Sequence, residues 1–361
     1  MPSKPLNAWI AFPLVFLSAC AIRVGPKTIH ADRFDYSGAI SSSWKAQMML
    51  NLVRIRYMDP PVFMDVAQVV TQYTLEGEAS VTTPDWTSGV YYPGASATGR
   101  WSESPTITYN PMTGDKFTKS LLAPVSPVSV LQLVQAGWPV DAIFAIAVRS
   151  INRLHAATNI RIAKRQADPQ YYRLLRLMHE LQLTDSFTIR VQPPKEGVSE
   201  LPFVELGRRD PDEASLAKSR EVRKILGLNP DETQFQVAFG AVQTSDKEIA
   251  MVTRSILEII GEASAGVQIP DDDLKEGRAV PTVLPDISDE SLPQFLVRVR
   301  SSSSKPAPND TYVAAQYHGH WFWVDDRDLV SKRSLTFLLI LSTLAEAGTS
   351  IAPPVLTISK P

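Results

Sequence analysis

The stretch DPQYYRLLRLMHELQLTDSFTIRV, residues 168–191, indicates the fold class more directly than any other part of the chain. Asp168-Pro169 is a typical helix start, because proline at the first helical position lacks only an amide that has no partner there. Apolar residues then recur at helical spacing and predict one buried face. They are Tyr171, Leu174, Leu175, Met178 and Leu181. The β-branched and aromatic residues of Phe187–Val191 predict a strand directly afterwards.

Helices and strands alternate irregularly elsewhere, which predicts an α+β fold with mainly antiparallel strands and two subdomains. Asp59-Pro60-Pro61 ends a helix that starts near Ser37, because proline disfavours helical angles at the preceding residue. A helix begins at Asp210-Pro211-Asp212-Glu213 and ends at Gly227. Two strands, Tyr312–Tyr317 and His320–Val324, flank Gly319. A last helix, Asp328–Ala347, precedes a closing strand at Val355–Ile358.

Three further stretches have less distinct patterns. Phe144, Ala147, Val148 and Ile151 predict one face of a helix. Ser245-Asp246-Lys247-Glu248 has the capping-box pattern and predicts a helix with Ile249, Val252, Ile256, Ile259 and Ile260 on one face. Two loops are also expected, a glycine- and serine-rich one at residues 82–104 and an acidic, proline-rich one at Gly266–Pro293.

Composition excludes several classes of protein. The 361 residues are 44% hydrophobic and 20% charged, as in globular proteins with a sizeable core, and not as in disordered or fibrous chains. The 36 basic and 38 acidic residues leave a net charge of -2, which provides no field for nucleic acid. Cys20 is the sole cysteine, so neither an intramolecular disulfide nor a cysteine metal cage is possible.

The N-terminus has the order of a secretory signal. Lys4 is followed by the apolar run Ala8–Leu17, which is short for a bilayer span and contains Pro13. The tetrapeptide Leu17-Ser18-Ala19-Cys20 resembles the lipobox of bacterial lipoproteins. The resemblance implies cleavage before Cys20, a diacylglyceryl thioether on its sulfur and an acyl chain on its new amino group. The alternative is an ordinary buried cysteine behind a signal without lipid.

The resemblance also implies a location and a division of the chain. Residue 21 is alanine, and the absence of aspartate there favours the periplasmic face of the outer membrane of a Gram-negative bacterium. The expected division is a signal peptide at 1–19, a lipidated tether at 20–33, and α+β regions at 34–165 and 166–361.

Four further stretches resemble a set of proteobacterial outer-membrane lipoproteins that have no assigned activity. They are Arg33–Tyr36, WKAQMMLNLVRIRYMDPPVFMDV at 44–66, ITYNPMTGDKF at 107–117 and WFWVDDRDL at 321–329. This resemblance supports the location in the cell envelope. It supplies no catalytic residue.

Motifs with known chemistry are incomplete in this chain. The serine–lysine pattern S-x-x-K of penicillin-recognising enzymes occurs three times, at Ser42/Lys45, Ser215/Lys218 and Ser302/Lys305, without the partner motifs S-D-N and K-T-G. Gly94–Gly99 has the glycine spacing of a phosphate loop but continues with Arg100-Trp101, so a loop is expected there. No G-x-S-x-G esterase motif is present.

A metal site is the other chemical alternative. His318 and His320, with Asp325 and Asp326, are residue types that bind zinc. A turn at Gly319 would separate the two histidines, and Asp326 and Asp328 are expected to cap the last helix.

These observations predict a lipid-anchored envelope protein that acts through protein contacts, as a non-catalytic scaffold or accessory subunit. Its expected partners are the membrane, through Cys20, and an envelope protein, but not nucleic acid. No catalytic residue, metal ligand or cofactor is expected. The alternatives are a periplasmic hydrolase acting on envelope substrates and a ligand-binding lipoprotein.

Overall fold

The protein has an α+β fold, as the sequence predicts. The computed structural model describes residues 29–70, 73–82, 94–158, 165–192, 201–207, 212–279, 297–303 and 306–346. Cys20, the predicted signal sequence, the predicted strand Val355–Ile358 and Lys305 lie outside these ranges.

The described ranges contain nine α-helices. They are α1 (Ile29–Arg56), α2 (Gly114–Phe117), α3 (Pro127–Gln135), α4 (Val140–Ala147), α5 (Pro169–Leu183), α6 (Glu213–Leu226), α7 (Ile256–Ala263), α8 (Asp271–Lys275) and α9 (Leu329–Glu346). A π-helical turn, Thr118–Leu122, follows α2, and a 3₁₀ turn, Ser264–Gly266, follows α7.

The same ranges contain thirteen strands. They are β1 (Met64–Val70), β2 (Tyr73–Thr82), β3 (Gly94–Glu103), β4 (Thr106–Pro111), β5 (Val148–Ile151), β6 (Leu154–His155), β7 (Phe187–Gln192), β8 (Leu201–Leu206), β9 (Gln234–Phe239), β10 (Glu248–Thr253), β11 (Arg300–Ser302), β12 (Thr311–Tyr317) and β13 (His320–Asp325).

The chain forms two compact units. Among the described residues, the first unit comprises α1 up to Ser42 together with Met64–Asn110. Its strands form two ribbons, in which β1 pairs with β4 and β2 pairs with β3. The second unit comprises Ser43–Phe63 and the chain from Pro111 onward.

The second unit contains a six-stranded sheet in the order β6-β5-β10-β9-β8-β7. Strands β9 and β10 are parallel, and the other neighbours are antiparallel. A second sheet, in the order β11-β13-β12, is antiparallel. The six-stranded sheet takes β5 and β6 from one side of the expected boundary at residue 165 and β7 to β10 from the other. The structure therefore divides the chain at other points.

Helices α3 to α6 belong to the same core as this sheet. Helix α5 packs between α4 and α6, and α3 packs on β7 and β8. The predicted face of α5 is fully buried, so this sequence pattern is confirmed. Helix α6 and its end at Gly227, in the left-handed region, are also confirmed, but its N-cap is Asp212, which accepts from the Ser215 amide, and not Asp210 as the predicted capping box requires.

Two buried arginines stabilise this core by donating hydrogen bonds to backbone carbonyls. Arg254, only 3% exposed, donates to the carbonyls of Ala145, Ile146 and Ala157. Arg223 donates to the carbonyls of Leu206 and Glu232. Such bonds satisfy carbonyls that would otherwise be buried without a partner.

The structure corrects the predicted helix over residues 249–260. Residues 248–253 form β10, and the helix begins only after Ser255, whose side chain accepts a hydrogen bond from the Glu258 amide. The Ser245 hydroxyl instead accepts from the Lys247 amide in a turn. The β-branched residues Ile249, Val252 and Thr253 favour a strand, and apolar spacing alone did not separate that strand from the helix.

Two other predictions were also wrong. Residues 94–103, expected within a loop, form β3, because a continuous antiparallel ladder with β2 compensates for the low strand propensity of glycine, alanine and serine. Helix α4 ends at Ala147, so Val148 and Ile151 lie in β5 rather than on a helix face. Within the acidic segment after Gly266, residues 271–275 form the short helix α8.

Candidate functional site around Asp273

A tight turn places two histidines at one end of the three-stranded sheet. His318 and Gly319 connect β12 to β13, and Tyr317 and His320 are opposite each other in the ladder. Both turn residues have positive φ, 49° and 81°, which is the pattern of a type I′ hairpin turn. Glycine adopts this conformation without strain, and histidine is among the residues that tolerate it.

Asp273 of α8 is the centre of the site, and its side chain is only 1% exposed. The Tyr57 hydroxyl, from the segment just after α1, donates a hydrogen bond of 2.5 Å to Asp273 Oδ2. His320 Nε2 lies 3.3 Å from the same oxygen. An Arg278 guanidinium nitrogen donates to the other oxygen, Oδ1, at 3.2 Å. Both carboxylate oxygens therefore have partners.

The surroundings of Asp273 stabilise its charged form. Burial acts to raise the pKa of Asp273, but the Tyr57 hydrogen bond, His320 and Arg278 outweigh it and hold that pKa below its usual value. Burial, followed by the bond to Asp273, raises the pKa of Tyr57 well above the range of a free tyrosine. Tyr57 therefore stays a neutral donor and Asp273 a charged acceptor at neutral pH.

A second and more exposed cluster lies beside the first. Tyr317 donates a hydrogen bond to Asp59 Oδ2, and His318 Nε2 lies 3.8 Å from the same atom. The rings of Tyr317 and His318 stack with centroids 4.3 Å apart, and Tyr57 meets the edge of Tyr317 at 5.6 Å. Burial and the bond to Asp59 raise the pKa of Tyr317 to about 12.

Histidine–aspartate pairs are a general feature of this chain. Each of the four histidines with a described side chain lies 3.3 to 3.8 Å from an aspartate. The pairs are His155–Asp168, His179–Asp141, His318–Asp59 and His320–Asp273. The pair at Asp273 differs by its burial, since the His320 side chain is 12% exposed. His320 Nδ1 is inaccessible to solvent and makes no hydrogen bond to any described residue.

Asp273 and its partners Tyr57, His320 and Arg278, called here the brace, link separate elements of the fold. A general base must reach the proton it removes, directly or through one water. His320 directs Nε2 to Asp273, and its other nitrogen is buried. The network instead joins the end of α1, helix α8 and strand β13 through one carboxylate.

The residues of the zinc-binding alternative are not brought together. The turn sends His318 towards Asp59 and His320 towards Asp273, and Asp325 and Asp326 pair with Arg300 and Lys332. Within the described ranges, no three His, Cys, Asp or Glu residues are grouped in a way that would hold a metal ion. Asp328, as expected, caps α9 by accepting from the Ser331 amide.

The serine–lysine pairs have other contacts. Ser42 is exposed, and the Lys45 ammonium lies 4.8 Å from the centre of the Tyr312 ring. Ser215 is buried and donates to the Thr184 hydroxyl, while Lys218 pairs with Glu180 at 2.8 Å. Lys305, the lysine of the third S-x-x-K match, is outside the described residues.

The sequence did not single out Tyr57, Asp273 or Arg278. Tyr57 was the end of a predicted helix, and Asp273 lay within an acidic segment expected to be a surface loop. A weak signal exists, because Leu274 is the first apolar residue after the acidic run Asp271–Asp273 and suggests that one turn there faces inward.

The comparisons with known proteins add no relationship. Neither a family model, nor a curated protein, nor a solved structure matches this chain. None of the helices in the described part of the chain is both long and apolar enough to cross a bilayer.

Proposed function

We propose that this protein is a lipid-anchored component of the bacterial cell envelope that binds another envelope protein, as a non-catalytic scaffold or accessory subunit. The observation that carries the proposal is Leu17-Ser18-Ala19-Cys20, in which the sole cysteine follows an apolar run and two small residues. Several acyl chains on this residue would give an effectively permanent anchor.

The short distance from Cys20 to the fold supports a role at a surface. Helix α1 begins at Ile29, nine residues after Cys20. Nine residues span at most about 30 Å, whatever their conformation. A fold held this close to the bilayer meets other envelope components at a raised effective concentration, which favours assembly into complexes. Ala21 favours the outer membrane as the site of anchoring.

The arrangement around Asp273 supports a structural role for these buried residues of the second unit. Its buried groups are engaged with one another, and the buried nitrogen of His320 is out of reach of a substrate. A scaffold needs a rigid fold with a contact surface. The hydrogen bonds to the Asp273 carboxylate add to this rigidity, because they link separate elements of the fold.

The anchor is tested by metabolic labelling with a palmitate analogue. Cys20→Ser is expected to abolish labelling and to leave the uncleaved precursor, whereas Ser18→Ala, which keeps a small residue, is expected to be labelled and cleaved. An unmodified Cys20 in the mature wild-type protein, seen by mass spectrometry, would refute the anchor.

Binding to a partner is tested by crosslinking in intact cells followed by affinity purification. The wild type is expected to recover one envelope protein in near-stoichiometric amount. Recovery should fall with Cys20→Ser, because the precursor without acyl chains is not held at the outer membrane and loses its effective concentration there. Recovery of no specific protein from several growth conditions would contradict the scaffold function.

An envelope hydrolase is the second candidate, because His320, Asp273 and Tyr57 combine an imidazole, a carboxylate and a hydroxyl. Turnover of peptidoglycan or ester substrates by the wild type, abolished in a folded His320→Gln variant, would favour it over the scaffold. The scaffold function predicts no such turnover.

A further inference from the structure

The ribbon formed by β2 and β3 is long and regular. Ten residue pairs run without interruption from Tyr73 opposite Glu103 to Thr82 opposite Gly94. Successive residues of a strand alternate between the two faces of a sheet, and residues directly opposite each other share a face. The register therefore assigns every residue of the ribbon to one of two faces.

The two faces differ sharply in polarity. One face, called here the apolar face, holds Leu75 opposite Trp101, Gly77 opposite Gly99, Ala79 opposite Ala97 and Val81 opposite Ala95, with Tyr73 and Glu103 at its end. The other, the polar face, holds Thr74 opposite Ser102, Glu76 opposite Arg100, Glu78 opposite Thr98, Ser80 opposite Ser96 and Thr82 opposite Gly94. On the polar face, Thr98, Arg100 and Ser102 are exposed.

A two-stranded ribbon with an apolar face is marginally stable in water by itself. In the part of the chain that the structure describes, β2 and β3 pair with each other and with no third strand. Covering the apolar face would therefore stabilise the ribbon.

The rest of the first unit also presents apolar side chains to its surroundings. Five large ones are between 38% and 62% exposed; they are Phe34, Met64, Val70, Ile107 and Tyr109.

We infer that the apolar face of the β2–β3 ribbon lies on the surface of the lipid bilayer, next to the acylated Cys20. The inference rests on the proposed lipid anchor, which would hold Ile29 of the same unit within about 30 Å of the membrane. Tryptophan and tyrosine are the residues enriched at the membrane interface, and Trp101 and Tyr73 share the apolar face.

The charge of the first unit favours a lipid surface over a second copy of the chain. Its described residues include two basic ones, Arg33 and Arg100, and six acidic ones, Asp32, Asp35, Asp65, Glu76, Glu78 and Glu103. Two acidic units repel each other, whereas a zwitterionic bilayer does not repel them. Insertion of an apolar face into such a bilayer depends on burial and not on lipid charge.

The test uses the chain beginning at Ala21, which has no lipid but retains every described residue, with phosphatidylcholine vesicles in a flotation assay. The wild type is expected to float with the vesicles, with little effect of salt. Leu75→Asp and Val81→Asp, on the apolar face, should each weaken partitioning about tenfold or more. Ser80→Asp and Thr98→Asp place the same charge on the polar face and should change it by less than about twofold.

Circular dichroism and thermal unfolding of all four variants separate lost binding from lost folding. Failure of the wild type to float, equal losses on the two faces, or a requirement for anionic lipid would each overturn the inference. Dimerisation without vesicles that Leu75→Asp abolishes would assign the face to a second copy instead. Because this chain lacks Cys20, these outcomes are independent of the palmitate-labelling test of the anchor.

Discussion

Tyr57 and Asp273 are 216 positions apart in the sequence, and the hydroxyl of the first donates a hydrogen bond of 2.5 Å to the carboxylate of the second. His320 approaches the same carboxylate oxygen from strand β13. One buried charge thus connects the segment after α1, helix α8 and the last hairpin. Removing one of these groups leaves the others buried and unpaired. The resulting loss in the free energy of unfolding should therefore exceed the loss from breaking an exposed ion pair.

Removal of the buried carboxylate is expected to destabilise the protein strongly. Asp273→Ala should lower the free energy of unfolding by about 3–5 kcal/mol, and Tyr57→Phe, which loses one bond to a charged group, by about 1.5–3 kcal/mol. Asp271→Ala, an exposed neighbour in the same helix, should cost less than about 1 kcal/mol. Urea unfolding measures all three, and a neutral Tyr57→Phe would contradict the brace.

The two substitutions should also be coupled. In the double variant Tyr57→Phe/Asp273→Ala, the same hydrogen bond is removed only once, so the cost should be smaller than the sum of the single costs. Additive effects would mean that the hydroxyl and the carboxylate contribute independently.

The brace also predicts a dependence of stability on acid. Burial opposes ionisation of Asp273, but the bonds from Tyr57, His320 and Arg278 prevail, so its pKa in the folded state lies below the usual 3.8. A depressed carboxylate pKa contributes stability above the unfolded pKa, and this contribution is lost as the pH falls through the folded value. Between about pH 5 and pH 2, the wild type should therefore lose more stability than Asp273→Asn.

Urea unfolding at a series of pH values measures this difference. The depressed pKa values of Asp168 and Asp328 affect both proteins equally and cancel in the comparison. Parallel pH profiles for the wild type and Asp273→Asn would show that Asp273 is not the group responsible.

The two S-x-x-E sequences provide a matched pair of serines for a further prediction. Ser255 accepts the Glu258 amide at the start of α7, and Ser255→Ala should cost about 1 kcal/mol. Ser245 lies in an exposed turn, so Ser245→Ala should change stability by less than about 0.5 kcal/mol. Thermal unfolding of both variants checks the difference, and equal effects would show that capping is not what distinguishes them.

Local sequence patterns predicted much of the fold, because helical periodicity and capping residues depend on residues that are close together in the sequence. The face of α5, the end of α6 at Gly227 and the turn at Gly319 are of this kind. Strand β3 was missed because its pairing with β2, not its composition, determines its conformation.

Such local patterns could not predict the candidate site. Tyr57, Asp273 and His320 come from three separate regions, and no spacing in the sequence indicates that they meet. The histidines at the turn were identified as candidates, but the partners assigned to them were Asp325 and Asp326, which are near in sequence. The structure pairs them with Asp59 and Asp273 instead. The prediction at Cys20 concerns chemistry outside the described residues and stays a prediction.

The faces of β13 lead to the last prediction. Phe322 and Val324 are at most 1% exposed, whereas Trp321 and Trp323 on the opposite face are only partly buried. Phe322 also meets the edge of Tyr57, with ring centroids 6.2 Å apart, so the core and the brace share a contact. Phe322→Ala should therefore cost about 3–5 kcal/mol, through lost burial and the cavity that remains.

Trp323→Ala removes a larger side chain but from a position that is only partly buried, and burial energy scales with the apolar area removed from water. Its expected cost in the isolated chain is about 1–2 kcal/mol, less than that of Phe322→Ala. Urea unfolding of both variants decides the order. A larger loss for Trp323→Ala would mean that this face of the sheet is covered in solution, and the loss would then depend on protein concentration if a second copy covered it.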